Sequence, residues 1–383
     1  MRQLGIAVYP DHSSLDEIKE YLQQAHQVGY TRIFTSLLQL AGNDGEDNLV
    51  KFRAMIAAAN ELGFQTIVDI NPTLFKELGV SYDHLDFFHE LGVWGFRLDE
   101  GFTGKEEAQM TRNPFGLKVE INMSAGTNYL ESIMSYHPDT DNLLGCHNFY
   151  PQAFTGLSDE YFDQYSRPYR QHNLHTAAFV SAPSAQLGPW PVSEGLPTME
   201  SDRNRPIATQ VQHLLLTGMV DDVIIGNAFA SVDELKAAAA SFYAPVPQLT
   251  VDLIPDATET ERAIVLDGID GQHLYRGDAS AYLLRSTLTR IKYGKVAIPA
   301  RPVTGDFHRG DVIVVNDGYA RYKGEMQIAL TDFPNDGRRN VVGRITNADL
   351  PLLAGIKRGW RSALSRLAPN RPNGTKRCGC LQR

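Results

Sequence analysis

The chain is 383 residues long, a length that fits one large domain and a smaller one. Hydrophobic residues make up 43% of the sequence and charged residues 21%, as in ordinary globular proteins, which excludes a fibrous or fully disordered chain. The net charge is −9, but residues 350–383 carry eight Lys and Arg and no acid, so the remainder holds 28 bases against 45 acids. Because an acidic body repels nucleic acid, we predict no nucleic-acid partner.

No segment predicts a membrane or extracellular location. The N-terminal apolar run ends at Pro10, too early for a signal peptide, and the longest apolar runs, such as residues 223–225, are far below the roughly 18 residues of a membrane span. The three cysteines, Cys146, Cys378 and Cys380, form no disulfide framework and no CxxC pair, and no HxxxH pair occurs. We predict a cytoplasmic protein with no membrane partner, no metal and no cofactor.

The first 240 residues alternate short β-rich runs with amphipathic stretches, a pattern typical of βαβ units. The eight predicted strands are residues 5–9, 32–36, 65–70, 95–98, 117–122, 143–147, 175–180 and 222–225. Apolar residues at three- and four-residue spacing predict helices at residues 14–28, 48–62 and 231–241. Ser14 and Ser231 each begin a capping-box pattern, and Gly29 and Gly63 follow helix ends. Eight such units predict an α/β fold with a (β/α)8 TIM-like barrel, and a doubly wound sheet is the alternative.

A Pro-rich connector, residues 244–247, predicts a domain boundary, because its prolines cannot continue a helix. We place the barrel domain at residues 1–243 and a smaller all-β domain, a barrel or sandwich, at residues 248–356. The smaller domain shows short alternating runs and Gly turns with little helix signal. Residues 357–383 are basic and rich in Pro, Asn and Gly, and we predict a disordered tail.

In a (β/α)8 barrel, the groups that act on a substrate lie at the C-terminal ends of the strands. Here those positions are unusually polar. They include Tyr9, Ser36, Asp69, Arg97, Asp99, Glu120, Asn122, Asn148, Tyr150 and Asn227. We predict an active site at this mouth, against the alternative that these residues cap the following helices.

Four carboxylates are candidates for acid/base chemistry: Asp99, Asp69, Glu120 and Glu200. Asp99 ranks first because alternate strand residues share a face, which places Arg97 and Asp99 together on the inward side. A structural Arg97–Asp99 ion pair is the alternative. Asp69 is either inward or a loop cap, and Glu120 shares its face with Asn122.

The long loop after the seventh strand adds Thr198, Glu200 and Arg203. Loops near strands seven and eight often bind phosphate in this fold, so Arg203 is a candidate anion contact. The alternative is a helix start with an exposed arginine. His147, in the sixth strand, is either a sugar contact or a buried structural histidine.

Several strings together resemble the bacterial 6-phospho-N-acetylmuramidase family, glycoside hydrolase family 170. They are GIAVYP (5–10), IFTSL (33–37), RLDEGF (97–102), CHNFYPQAFTGL (146–157), GLPTME (195–200) and IIGN (224–227). The resemblance runs from about residue 4 to about residue 356, and its most specific element is HNFYP followed by TGL.

The resemblance implies a (β/α)8 barrel followed by a cyclophilin-like β domain. It also implies hydrolysis of N-acetylmuramic acid 6-phosphate–N-acetylglucosamine in cell-wall sugar recycling. Family-like strings in the second domain suggest that Arg285 and Tyr322 contact the substrate. After residue 356 the family's last β-strand is replaced by a basic segment, which would leave a sheet edge exposed.

Two other functions stay open at this point: another sugar-phosphate enzyme on a TIM barrel, such as an aldolase or epimerase, and a non-catalytic phosphosugar-binding protein. No lysine falls at a strand end, which counts against a Schiff-base aldolase. The sequence does not choose among retaining, inverting and substrate-assisted hydrolysis, nor does it fix the oligomeric state.

Overall fold

Eight parallel strands close into a barrel in the first part of the chain. They are β1 (Leu4–Ala7), β2 (Arg32–Ser36), β3 (Gln65–Ile70), β4 (Gly95–Leu98), β5 (Lys118–Asn122), β6 (Leu143–Cys146), β7 (His175–Val180) and β8 (Asp222–Ile225). Each strand pairs with the next in sequence, and β8 pairs with β1. The predicted TIM-like barrel is therefore confirmed, and the doubly wound alternative is wrong.

The computed structural model describes residues 1–38, 45–189, 191, 194–278, 280–356 and 359–367. The chain divides into two compact units, Met1–Pro245 and Val246–Arg383. No helix in the described part of the chain is long and apolar enough to cross a membrane.

Helices follow the barrel strands and cover their outer faces. They are α1 (Leu15–Gln27), α2 (Gly45–Glu61), α3 (Pro72–Glu77), α4 (Asp86–Leu91), α5 (Lys105–Met110), α6 (Tyr129–Ser135), α7 (Asp159–Gln171), α8 (Ile207–Thr217) and α9 (Val232–Phe242). The capping boxes predicted at Ser14 and Ser231 are present at the starts of α1 and α9. Gly29 follows α1 with a φ of 96°, a left-handed conformation that glycine adopts without strain.

Strand periodicity sorts side chains between the barrel interior and the helices. Phe34, Cys146, Phe179 and Ile224 pack together in the interior, while the alternate strand residues join the large core beneath the helices. The register places Asp69 beside Arg97 on the neighbouring strand. Polar residues with inward parity therefore share the interior with an aromatic cluster.

The second unit contains one seven-stranded, mostly antiparallel sheet in the order β10-β15-β9-β14-β12-β13-β11. Its strands are β9 (Gln248–Leu253), β10 (His273–Leu274), β11 (Leu283–Ser286), β12 (Asp311–Val315), β13 (Met326–Ala329), β14 (Arg339–Ile345) and β15 (Arg361–Arg366). A bridge between Tyr275 and Ser286 joins the two ends of this order, so the sheet curls back on itself. The cyclophilin-like type of this unit stays a prediction.

Among the described residues of the second unit, two α-helices depart from the expected all-β pattern. They are α10 (Glu259–Leu266) and α11 (Thr289–Tyr293). A capping box of Thr258 and Glu261 begins α10, and Ile264 and Val265 are buried. The expectation of little helix in this domain was therefore wrong. The capping-box pattern S/T-x-x-E before a short apolar run is present in the sequence and could have predicted α10.

The predicted disordered tail is wrong for residues 361–366, which form β15. This strand pairs in parallel with β9 and antiparallel with β10, so it covers the sheet edge that we expected to be exposed. Ser362 and Leu364 are buried, Ala363 between them is half-buried, and Arg361 and Ser365 on either side are exposed. Flanking arginines obscure this short alternation in the sequence. Residues 357–358 and 368–383 of the predicted tail lie outside the described residues.

Candidate active site

Arg97, Asp69 and Asp99 meet at the C-terminal mouth of the barrel. Nη1 of Arg97 donates hydrogen bonds to Oδ1 of Asp69 over 2.7 Å and to Oδ1 of Asp99 over 3.2 Å. Asp69 and Arg97 are register neighbours on β3 and β4, and Asp99 directly follows Leu98, the last residue of β4. Arg97 is 3% exposed, whereas the Asp99 side chain is 39% exposed and reaches solvent. The sequence-based expectation that these residues share the inward face agrees with this geometry.

Two asparagines hold this group from neighbouring strands. Oδ1 of Asn148, which lies just beyond β6, accepts a hydrogen bond from Nη2 of Arg97. Nδ2 of Asn122, at the end of β5, donates to the backbone carbonyl of Asp99 over 3.2 Å. The guanidinium and the chain that carries Asp99 are thus fixed by side chains from β5 and β6.

Burial raises the pKa of Asp69 to about 7, with the negative charges of Asp99 and Glu120 acting in the same direction against the Arg97 charge. A carboxyl group with this pKa is in part protonated at neutral pH. Asp69 can therefore donate a proton there, a requirement for a general acid.

A cavity of about 130 Å³ opens above these residues. Asp69, Arg97, Asp99, Ser36 and Asn148 supply its polar lining. Its apolar lining comes from Phe34, Leu38, Phe149, Pro151, Phe179 and Pro189.

Three aromatic rings of the lining pack edge to face. The ring centroids of Phe34 and Phe179 lie 5.1 Å apart, and Phe149 is 5.1 Å from Phe179. We did not predict Phe34 or Phe179 as site residues. The sequence did carry a sign of their position. Each lies two positions before a polar strand-end residue, Ser36 or Ser181, and residues two apart in a strand point to the same face.

Glu120 does not reach this cavity. Its Oε2 binds Nη2 of Arg32, whose Nη1 donates to Oδ2 of Asp222 over 2.6 Å, and all three side chains are completely buried. Arg32 and Asp222 are the first residues of β2 and β8, so Glu120 points toward the N-terminal half of the barrel. The expectation that Glu120 points into the mouth is wrong. Strand alternation correctly places its side chain inside the barrel, but the tilt of the strands places it below the mouth.

Glu200 and Arg203 form a closed clamp. The Glu200 carboxylate accepts two hydrogen bonds from Arg203, over 2.7 and 2.8 Å, and one each from the backbone amides of Phe154 and Gly156. The remaining guanidinium donors of Arg203 bind the carbonyls of Tyr150, Glu194 and Gly195. These bonds hold the pKa of Glu200 near 2. The geometry favours a structural role for both residues, in place of acid chemistry or phosphate binding.

Gly156 shows how closely the clamp is packed. A Cβ atom at Gly156 would lie 2.7 Å from the Glu200 backbone nitrogen and 2.7 Å from its Oε2. This close approach explains why the TGL string has a glycine at this position.

Other predicted binding residues also hold the framework. The Tyr9 hydroxyl donates to the Gly226 carbonyl over 2.6 Å, and the Thr198 hydroxyl donates to the Asn148 carbonyl over 2.9 Å. Asn227 bonds to the backbones of two neighbouring loop residues and is buried. Of the predicted contacts other than Arg97, Asp69 and Asp99, Ser36 and Asn148 line the cavity.

His147 is a structural histidine. Its Nδ1 lies 3.0 Å from Oγ of Ser124 and its Nε2 lies 2.8 Å from Oγ of Ser166, while its ring packs on Phe162. Complete burial, assisted by the Arg97 charge, lowers the pKa of His147 to about 3. The ring is neutral at physiological pH and faces α7.

Arg285 and Tyr322 belong to the second unit. Nη2 of Arg285 donates to Oδ2 of Asp278 over 2.8 Å. Tyr322 is 49% exposed, and the Arg290 guanidinium lies 5.3 Å from its ring centroid. Their role as substrate contacts stays a prediction.

Comparison with protein families gives two matches that follow each other along the chain. The model described as 6-phospho-N-acetylmuramidase, N-terminal, matches residues 4–240, and that described as 6-phospho-N-acetylmuramidase, C-terminal, matches residues 247–365. The second match includes most of β15. No curated protein matches the chain.

Two solved structures are similar over nearly the whole chain. An uncharacterized B. cereus protein is 40% identical with a TM-score of 0.85, and the alignment covers 95% of this chain and 99% of that one. A conserved Enterococcus faecalis protein of unknown function is 26% identical with a TM-score of 0.71, covering 95% and 96% of the two chains.

Proposed function

This chain belongs to the 6-phospho-N-acetylmuramidase family, and from that premise we propose that it hydrolyses the bond between N-acetylmuramic acid 6-phosphate and N-acetylglucosamine. An enzyme of this family is a glycosidase that acts on phosphorylated muramic acid. We propose further that the enzyme acts on this disaccharide in cytoplasmic cell-wall sugar recycling.

The Arg97–Asp69–Asp99 group carries the proposal. Asp69, buried and with a pKa of about 7, is the general acid that protonates the leaving sugar oxygen. Asp99, which is more exposed and lies across the same guanidinium, is the second carboxylate. It acts either as the nucleophile or by orienting the substrate's 2-acetamido group.

The spacing of the two carboxylates supports retention of anomeric configuration. Their oxygens bind the same nitrogen over 2.7 and 3.2 Å, so these two atoms cannot be as far apart as the two carboxyls of an inverting enzyme, about 6.5–9.5 Å. Retaining enzymes place them about 5–5.5 Å apart. A covalent route and attack by the 2-acetamido oxygen both give a retained product.

Arg97 is the cation best placed to meet the substrate's phosphate or lactyl carboxylate. It lines the cavity, where its two Nη atoms lie among Asp69, Asp99 and Asn148. Arg203, the other candidate, has its guanidinium donors engaged in the clamp with Glu200.

The apolar lining suits an amino sugar. Phe34, Phe149 and Phe179 offer ring faces and edges to a pyranose ring and an acetamido methyl group. A second cavity, of about 430 Å³, shares Leu38 and Pro189 with the first and adds His12. The two adjoining spaces are compatible with a substrate of two sugars.

The test is hydrolysis of the phosphorylated disaccharide by the full-length protein, with the released anomer followed by NMR. We expect release of N-acetylglucosamine, a retained product, and much slower turnover of the disaccharide without phosphate. Loss of turnover in Asp99→Asn with unchanged substrate binding would separate catalysis from simple phosphosugar binding. An inverted product would overturn the assignment of Asp69 and Asp99, and absence of hydrolysis would overturn the proposed substrate.

A further inference from the structure

A cavity of about 340 Å³ lies within the second unit. Arg276, Arg285 and Arg309 line it together with one acid, Asp278. Three arginines against one carboxylate leave an excess of positive charge here, although the whole chain has a net charge of −9. Such a local excess attracts anions.

Two of the arginines already share one oxygen atom. The backbone N–H of Arg276 donates to the carbonyl of Arg285 over 3.0 Å, which places the two side by side on neighbouring segments. Nη2 of Arg276 and Nη2 of Arg285 both donate to Oδ2 of Asp278, over 2.9 and 2.8 Å. One carboxylate oxygen therefore bridges two guanidinium groups, a geometry that fits any carboxylate or phosphate oxygen equally well.

Asp278 holds this position without being packed into it. Its side chain is 56% exposed. The preceding residue, Gly277, also lies in open space, because a Cβ atom there would meet nothing within 4 Å. Its side-chain hydrogen bonds in the described structure go to Arg276 and Arg285. A ligand oxyanion could replace this carboxylate while Asp278 moves into solvent.

The rest of the cavity is largely apolar. Leu353 and Ile356, which follow β14 in the chain, line it with Leu283 of β11 and Leu330, which directly follows β13. A ligand whose oxyanion meets the arginines can therefore bury an apolar group against these side chains.

We propose that this cavity binds a small organic oxyanion with an apolar group, and that Asp278 occupies the anion position until the ligand displaces it. The shared chemistry is an oxyanion next to an apolar body, and the source is a carboxylate or a phosphate monoester. The proposal rests on residues of the second unit alone.

The experiment titrates the full-length protein with acetate, hexanoate and inorganic phosphate, followed by ligand-observed NMR. We expect hexanoate to bind at least about tenfold more tightly than acetate because its methylene groups are buried. Asp278→Asn removes the competing charge and should strengthen hexanoate and phosphate binding about two- to fivefold. Arg285→Gln and Arg309→Gln should each weaken binding by a similar factor.

Arg321→Gln is the matched control, because it removes the same charge from an exposed position in the same unit outside the cavity lining. Tighter binding of hexanoate than of phosphate supports a carboxylate ligand, and the reverse supports a phosphate monoester. None of these variants changes Arg97, so any anion binding there is the same in all of them and does not affect the comparison. Unchanged affinity in Asp278→Asn, or an equal loss in Arg321→Gln and Arg285→Gln, would overturn the proposal.

Discussion

Arg97 donates a 2.7 Å hydrogen bond to Asp69, its register neighbour across β3 and β4, at the mouth of the barrel. The guanidinium of Arg97 is 3% exposed, and burial raises the pKa of the Asp69 carboxyl to about 7. Because the guanidinium also binds Asp99, it fixes the distance between the two carboxylates. The proposed chemistry depends on this arrangement.

Asp69→Asn should lower turnover of the disaccharide about 10²- to 10⁴-fold, since the amide cannot donate the acid's proton. In the unchanged protein, activity should fall as the pH rises through about 7, where Asp69 loses its proton. The variant should lack that basic limb in its pH–rate profile. Aryl glycosides with good leaving groups should restore its rate, and a failure of this rescue would assign the acid role elsewhere.

Glu120→Gln should move the basic limb of the pH–rate profile to lower pH, because the Glu120 charge helps to raise the pKa of Asp69. It should also lower the melting temperature, because it weakens a completely buried ion pair with Arg32. Asp222→Asn is the control: it disturbs the other ion pair of Arg32, and Asp222 is not among the groups that shift the pKa of Asp69. Equal shifts of the limb in the two variants would show a general structural effect.

Glu200→Gln should reduce the free energy of unfolding by about 1.5–3 kcal/mol at neutral pH, since it removes charge-assisted bonds to Arg203. The pKa of Glu200 is lowered from 4.5 to about 2, so its stabilisation is complete above pH 4.5 and is lost as the pH falls toward 2. Chemical denaturation across this range should therefore show the two proteins converging at low pH. If the variant folds but its turnover falls as strongly as that of Asp69→Asn, Glu200 takes part in catalysis and is not only structural.

Arg97→Lys should reduce the preference for phosphorylated over unphosphorylated disaccharide, since a lysine keeps the charge but not the planar set of donors. We expect kcat/KM for the phosphorylated substrate to fall at least about tenfold. Steady-state kinetics on both disaccharides measures the ratio. The same ratio in the variant and the unchanged protein would exclude Arg97 as the anion contact.

Ending the chain after Ile356 should destabilise the second unit, because removal of β15 uncovers β9 and exposes the site where Leu364 is buried. We expect a lower unfolding temperature and concentration-dependent aggregation. A chain ending after Leu367 keeps β15 and serves as the control. Identical thermal unfolding of the two shortened chains would contradict a stabilising role for this strand.

Local signals predicted most of the scaffold. The 3.6-residue spacing with Ser14 at its start predicts α1, and the strand-end position of Arg97 and Asp99 predicts a shared inward face. Such signals involve residues only a few positions apart, so they can be read along the chain. The overlooked helix α10 carried the same kind of signal at Thr258.

Periodicity, caps and short strings were enough to predict the barrel, the polar mouth and the family resemblance, because they are local properties of the chain. Folding is what buries Asp69 beside Arg97 and pairs Glu120 with Arg32, 88 residues away in sequence. It also decided that Glu200 is held by the amides of a loop more than 40 residues earlier. A carboxylate becomes an acid or a structural anion according to its solvent exposure and the charges around it, and both depend on parts of the chain that meet only after folding.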